Sequence, residues 1–292
     1  MPVVRGGSCY RKKDHDHTTT AGPPLMKAIL FDMDGVLYVG DRPIAGATET
    51  LEWARREGIP FRFVTNTTSR PRSALVEKLA GMGIEAAVDE ILTPPVAARQ
   101  WLSAHDGGPV ALFVPDATAA EFADLTQAQS ADEPIAALVM GDLGEGWDFA
   151  TYNRAFRWLK ANPEAALVAL GMTRFWQAED GPKLDVGPFV RGLEYAIGRE
   201  AVVLGKPSAA FFHSALETLG VDAAETVMIG DDIVGDIRGA QQAGLAALQV
   251  RSGKFHPDDL ERGITPDGML DGIADLPTWW QRHASAPHER SS

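Results

Sequence analysis

The chain has 292 residues, 45% of them hydrophobic, and a formal net charge of −13. That length supports a sizeable core and two domains, and so acidic a chain is poorly suited to nucleic acid or to anionic membranes. No apolar run approaches the roughly 18 residues that a membrane-spanning helix requires, and the single cysteine, Cys9, excludes an internal disulfide and suits a reducing cytoplasm.

Residues 1–25 are polar and turn-rich, with basic residues but no apolar stretch of the kind that follows them in a signal peptide. They read as a disordered, dispensable leader, from an upstream start, because Met26 directly precedes the first strand. His15 and His17 alternate with aspartate there and read as a solvated tract rather than a metal site. From Lys27 onward, apolar runs alternate with helical patterns. The expected strands are 27–31 (KAILF), 61–65 (FRFVT), 110–114 (VALFV), 135–140 (IAALVM), 166–170 (ALVAL), 201–205 (AVVLG), 226–230 (TVMIG) and 246–250 (AALQV). Most are continuously apolar, the mark of strands buried on both faces of a parallel sheet. Helices are expected over 44–58 with Ala47, Leu51 and Ala54 inward, 72–83 with Leu75 and Leu79, 152–162 with Ala155, Phe156 and Leu159, and 208–220. Gly58 and Gly220 stop two of them, and Ser208 is placed to cap the last. Such alternation specifies an α/β fold, mostly parallel, with helices flanking the sheet.

In such folds the functional crevice lies beyond the carboxyl ends of the strands. Four polar clusters fall there: Asp32-Met33-Asp34-Gly35, Thr65-Asn66-Thr67, Gly205-Lys206-Pro207, and Gly230-Asp231-Asp232 followed by Asp236. Singly, each reads as a turn, a helix cap or a surface lysine. Together, in this order and at matching strand ends, they read as one site. Asp32 and Asp34, one residue apart after a buried strand, would repel unless positive charge lies between them. A carboxylate nucleophile, a second carboxyl as acid and base, a hard cation such as Mg2+ on oxygen ligands, and a lysine on phosphoryl oxygens would together perform phosphoryl transfer.

These clusters, DMDGVL, VTNTT, GKP and GDDIVGD, resemble the four motifs of the haloacid dehalogenase superfamily of phosphatases, over residues 27 to about 255. The resemblance implies a Rossmann-like core and a role for each residue. Asp32 would be the nucleophile, and Asp34 the general acid/base. Thr65 and the amide of Asn66 would bind the phosphoryl group. Lys206 would hold nucleophile and phosphate together. Asp231, the Asp32 carboxylate and the Asp34 carbonyl would ligate Mg2+, with Asp236 in support and a less defined part for Asp232.

Residues 33–64 hold little more than one helix and one strand, whereas 66–205 far exceed a single crossover. The excess is expected to form an inserted α/β cap of the C2 type over 97–190, between core segments 26–96 and 191–285. This is the arrangement of the class IIA branch. Within it, residues 184–196, 202–212, 228–241 and 248–255 most resemble the phospholysine phosphohistidine inorganic pyrophosphate phosphatase group and its hydrolase-domain relatives. Some members of that group lack the second carboxylate. This chain has it in Asp34, which implies a competent phosphatase acting on a small phosphorylated substrate. A cap-mediated homodimer is implied by resemblance alone.

In the cap, Arg174 could meet a second anion, Phe175 and Trp176 a ring, and Asp185 an amine or hydroxyl. The favoured expectation is that the two aromatic residues pack between cap and core and that Arg174 forms a surface ion pair. Residues 141–149 could serve as a lid or a cap edge. Trp279 and Trp280 should face different sides of a helix. A dehalogenase would need neither Asp34 nor Asp231, a phosphomutase would carry its cap between Asp32 and Thr65, and a dinucleotide fold would show Gly-x-Gly-x-x-Gly after the first strand. The alternative left open is a non-catalytic or regulatory protein on the same fold.

Overall fold

The computed structural model describes residues 25–105, 107–130, 133–178 and 181–283. The expected leader, with Cys9, His15 and His17, lies outside them apart from Leu25.

The first strand, Ala28–Phe31, is wholly buried. It stands inside a six-stranded sheet in the order Gly268–Leu270, Ala246–Val250, Thr226–Gly230, Ala28–Phe31, Phe61–Val64, Ile91–Leu92, parallel throughout. Phe31 is in register with Ile229 on one side and Phe63 on the other, so the chain leaves three adjacent strands at the same level. The helix Ala47–Arg56 turns Ala47, Leu51, Trp53 and Ala54 inward, and it stops before Gly58, whose φ of 66° suits a left-handed turn. With Arg72–Gly81 and Leu276–His283 it covers one face of this sheet. Trp280 packs edge-on against Trp53 at 6.2 Å, while Trp279 stacks on His283, so the paired tryptophans do face different ways.

A second, four-stranded parallel sheet runs Val202–Val203, Ala166–Ala169, Ala137–Met140, Val110–Phe113. The helices Pro94–Ala104 and Ala209–Leu219 lie between the sheets. They share one apolar cluster with Leu30 and Val64 of the first sheet and Val110, Val139 and Val168 of the second. Phe149–Ala161 and Val186–Ile197 cover the far face of the second sheet. Two polar ties join the halves beside the site: Arg72 donates from Nε and Nη2 to the Glu121 carboxylate at 3.2 and 3.1 Å, and Thr118 Oγ1 donates to Thr68 O.

Several expectations change. The boundaries set at 97 and 190 fall inside the helices Pro94–Ala104 and Val186–Ile197, and the second sheet reaches Val203. The run at 201–205 therefore belongs to that sheet rather than to the first. Ser208 precedes its helix without making a side-chain cap bond. Phe175 and Trp176 do not pack between the halves. They stand exposed on the hairpin of strands Phe175–Ala178 and Gly181–Leu184. Arg174 is exposed too, and Asp185 caps the next helix, accepting from Val186 N at 2.6 Å. Trp147, stacked between Phe113 and Phe189, anchors residues 141–149 to the second sheet, and Asp148 there caps the helix Phe149–Ala161 by accepting from Thr151 N.

Candidate active site

Asp32 follows the first strand directly, and its N–H donates to Ile229 O at 2.9 Å, which continues the ladder one residue past the strand. This places the Asp32 carboxyl beside Asp231, the residue after Thr226–Gly230. Thr65 likewise extends its own strand, donating from N to Leu92 O. Its hydroxyl accepts from Thr67 N at 3.2 Å and lies 3.0 Å from Thr67 Oγ1.

Lys206 arrives from elsewhere. It follows Val202–Val203 of the second sheet, with Leu204 N bonded to Ala169 O. Its ammonium, nearly fully buried, lies 2.7 Å from Asp32 Oδ1 and 2.7 Å from Asp236 Oδ1, and it donates to Val64 O at 3.3 Å. The backbone of Lys206 is held by the Asn66 side chain, through Lys206 N to Asn66 Oδ1 at 2.7 Å and Asn66 Nδ2 to Lys206 O at 3.0 Å.

After Asp231 the chain makes a single wide π-type turn, Ile233–Arg238. Asp232 caps it, accepting from Val234 N and Gly235 N at 2.9 and 2.8 Å. The turn brings Asp236 back so that its Oδ2 accepts from Asp231 N and Asp232 N, at 3.2 and 3.1 Å. Asp236 Oδ2 is thus hydrogen-bonded, whereas its buried Oδ1 has the Lys206 ion pair at 2.7 Å and no hydrogen-bond partner among the described residues. Asp231 Oδ2 accepts from Lys254 N at 2.7 Å, and its Oδ1 is buried with neither a hydrogen-bond partner nor an ion pair among the described residues. Gly35 and Gly253, at φ of 90° and 61°, press their backbones against this carboxyl, where a Cβ would come within 1.9 and 2.1 Å of Oδ2. Ser252 Oγ ties the two glycine loops together by donating to Gly35 O at 2.6 Å.

Electrostatics follow from one buried cation among three buried carboxyls. Burial pushes Asp32 up despite Lys206. Burial also pushes Asp231 up to about 6, and burial with the charge of Asp32 pushes Asp236 up to about 6. Burial opposes the Lys206 charge, but Asp236 and Asp32 outweigh it and raise that group above the usual lysine range. For Asp232 burial is outweighed by the Gly235 and Val234 N–H groups, which hold its carboxyl below the usual range. Carboxyl oxygens of Asp32, Asp231 and Asp236 lie within 4.8 Å of one another. An orphaned, buried Asp231 oxygen in that setting fits a hard divalent cation, which would offset the excess negative charge. The committed oxygens of Asp236 suit it to support rather than ligation.

A cavity of about 210 Å3 opens over these groups, and Asp34, exposed, lies on its wall with Asp32, Thr65 and Asn66. Lys206, Asp236, Thr67, Asp232 and Lys254 complete it, so apart from Gly235 the lining is polar or charged throughout. Side chains from all four strand-end clusters therefore meet at one cavity, with the buried Asp231 beside Asp32 and Asp236. Asn66 as the clamp of Lys206, the direct Asp236–Lys206 contact, and Lys254 were not legible beforehand. The spacing of the glycines at 35 and 253 offered a signal, since glycine is favoured where backbone meets a charged group closely.

Residues 29–126 match a family model described as haloacid dehalogenase-like hydrolase, and residues 203–276 match one described as HAD-hydrolase-like. The chain is 38% identical over 264 residues to the human phospholysine phosphohistidine inorganic pyrophosphate phosphatase, covering 89% of this chain and 96% of that protein. Among solved structures it resembles a p-nitrophenyl phosphatase from Archaeoglobus fulgidus, with a TM-score of 0.79 and 27% identity over 88% of this chain and 100% of that one. A glycerol phosphate phosphatase from Mycobacterium tuberculosis, solved with calcium, aligns with a TM-score of 0.73 and 26% identity over 86% and 74% of the two chains.

Proposed function

The chain belongs to the haloacid dehalogenase-like hydrolases, and on that footing we propose that it is a Mg2+-dependent phosphatase that hydrolyses a small phosphorylated metabolite through an aspartyl-phosphate. The observation that carries the reading is the Lys206 ammonium, 2.7 Å from both Asp32 Oδ1 and Asp236 Oδ1 at the floor of a polar cavity. A buried, lysine-paired carboxylate is a poised nucleophile, and the same lysine can follow the charge onto the phosphoryl oxygens.

In this reading Asp32 attacks phosphorus, and the bond to the leaving oxygen breaks. Asp34, exposed on the cavity wall, gives that oxygen a proton and then takes one from the water that frees phosphate from Asp32. Thr65, its hydroxyl tethered to Thr67, and the Asn66 amide hold the phosphoryl oxygens. Mg2+, held by Asp32, Asp231 and the Asp34 carbonyl, would neutralise charge on the phosphoryl group. The second sheet and its helices act as the cap, from about Pro94 to Leu204, rather than over 97–190. The reading extends to a cytoplasmic protein without a nucleic-acid partner, in keeping with one cysteine and a charge of −13. It also includes a homodimer, for which the exposed Phe175, Trp176 and Leu184 of the hairpin offer an apolar surface. Among the described residues no helix is long and apolar enough to cross a membrane.

The test is hydrolysis of p-nitrophenyl phosphate by the purified chain with and without Mg2+, for the parent and for Asp32→Asn. Turnover should require the metal and vanish in the variant, while circular dichroism stays unchanged. An Asp32→Asn protein as active as the parent would exclude the mechanism.

A further inference from the structure

The strand Ala246–Val250 is apolar but for Gln249, and Gln249 is buried as completely as Leu248 and Val250 beside it. Glutamine is mostly exposed in folded proteins. Side chains alternate along a strand, so Gln249 shares a face with Ala247, which packs with Ile233, Ile237 and Ala240 of the turn and short helix that follow Asp231. The sheet pairs Gln249 with Gly230, the residue before Asp231. From there Gln249 Nε2 donates to Asp231 O at 3.3 Å. No backbone N–H among the described residues serves that carbonyl, because the wide turn begins its ladder on Asp232 O, which accepts from Asp236 N and Ile237 N at 2.9 and 3.2 Å.

The amide has one workable sense. Turned over, it would set Oε1 against Asp231 O, acceptor against acceptor, so the Nε2 side is fixed by its partner. Oε1 is then left buried with no hydrogen-bond partner among the described residues. An unpaired buried acceptor lowers stability, and an apolar side chain of similar size would avoid that loss. Glutamine therefore stands here for the one bond it makes. That bond completes the hold on Asp231, whose N donates to Asp236 Oδ2 at 3.2 Å, whose O accepts from Gln249, and whose Oδ2 accepts from Lys254 N at 2.7 Å. Of its polar atoms, Oδ1 alone is without a hydrogen bond among the described residues.

We propose that Gln249 is a positioning residue for a divalent cation: it fixes the Asp231 peptide from the neighbouring strand, so that a carboxyl oxygen of Asp231 keeps its place within 4.8 Å of those of Asp32 and Asp236. The inference rests on the reading of this cluster as a metal site in the proposed mechanism. Gln249 does not line the cavity, so it acts on affinity for the ion rather than on the chemistry at phosphorus. Loss of a group that orients a metal ligand costs about 10- to 100-fold in metal affinity.

The experiment titrates Mg2+, without substrate, into the parent, Gln249→Met and Gln249→Asn, and follows the melting temperature. Methionine keeps the length of the side chain but cannot donate. Asparagine keeps the amide but is one methylene shorter and does not reach Asp231 O. Gln249→Met exchanges one unpaired acceptor, Oε1, for another, Asp231 O, so its melting temperature in chelator should change little. Its Mg2+ dissociation constant should rise about tenfold or more, while kcat on p-nitrophenyl phosphate at saturating Mg2+ should stay within about twofold of the parent's. Gln249→Asn should show the same loss of affinity, and it decides the matter if the methionine variant does not fold. An unchanged Mg2+ affinity in a folded variant overturns the assignment. So does a lower metal-free melting temperature with affinity unchanged, or the failure of both variants to fold, either of which makes Gln249 a part of the core and no more. Because the titration needs no substrate, a parent that binds Mg2+ but hydrolyses no phosphate ester removes the phosphatase reading and leaves this inference standing. A parent that binds no Mg2+ removes the inference.

Discussion

Asn66 and Lys206 grip each other by paired hydrogen bonds, Lys206 N donating to Asn66 Oδ1 at 2.7 Å and Asn66 Nδ2 to Lys206 O at 3.0 Å. Asn66 follows a strand of the first sheet, whereas Lys206 follows a strand of the second. The clamp therefore fixes where the ammonium meets Asp32.

Asn66→Ala should accordingly lower kcat without removing any charge from the site. A displacement of order 1 Å at the reacting centre costs about 100-fold, so a loss of ~10- to 100-fold in kcat is expected. Asn66→Asp offers an acceptor but no donor, and adds a negative charge beside Lys206. It should be no better than alanine. Steady-state kinetics on both variants, with melting temperatures as a control for folding, decide the matter.

Asp34→Asn should separate substrates by leaving group. General acid catalysis is worth about 10²–10⁴-fold. It matters least where the departing oxygen already carries charge comfortably, as in p-nitrophenolate. The variant should lose more on an alkyl phosphate than on the aryl ester. Equal losses would assign Asp34 a role other than proton donation.

Metal binding should depend on pH with a definite sign. Asp231 and Asp236 are raised to about 6 from 3.8. Between those values the metal-free native state holds protons that the unfolded chain has released, so its stability falls as pH rises through that window. A cation must displace the same protons, so its affinity should rise through pH 6. Mg2+ should thus raise the melting temperature clearly at about pH 7.5 and little at about pH 5, and a chelator should abolish the difference. A metal-induced shift that is larger at the lower pH would contradict the ligand set.

Gly253→Ala should damage the metal site without replacing a ligand. The residue is at φ 61° and its new Cβ would meet Asp231 Oδ2 at 2.1 Å. The left-handed backbone alone costs about 1–2 kcal/mol with a side chain attached. Titration of the variant with Mg2+, followed by its melting temperature, should show binding weakened at least tenfold.

The core makes a separate prediction. Trp280, 8% exposed, meets Trp53 edge-on at 6.2 Å and closes the outer layer of the first sheet. Trp280→Ala should cost about 3–5 kcal/mol in a denaturation midpoint measured with Mg2+ present. Activity at low temperature should persist, since the side chain does not line the cavity.

The parallel sheet and the strand-end clusters were legible because both leave local marks. Ala28–Phe31 is unbroken apolar sequence, and Asp32 and Asp34 follow it at once. What escaped was decided by partners distant along the chain. Ile91–Leu92 and Gly268–Leu270 are too short to show a period, and they become strands only by pairing with Phe63–Val64 and Leu248–Val250. The run at 201–205 looked like its neighbours, because apolar character does not say which sheet a strand joins. Phe175 and Trp176 were expected to pack, since aromatic residues usually do. Their hairpin instead holds them in solvent. The Asn66 clamp required knowing that residues 66 and 206 touch, and nothing within either motif says so.

Only Gly205 separates Lys206 from Leu204, whose amide is bonded to Ala169 in the second sheet. A shift of that sheet would be passed along the backbone to Lys206 through one residue, with Asn66 as the post on the other side. The ammonium is thus geared to the outer half of the molecule. Shear between the two halves would alter the distance from the Lys206 ammonium to Asp32, and with it the charge that Asp32 feels.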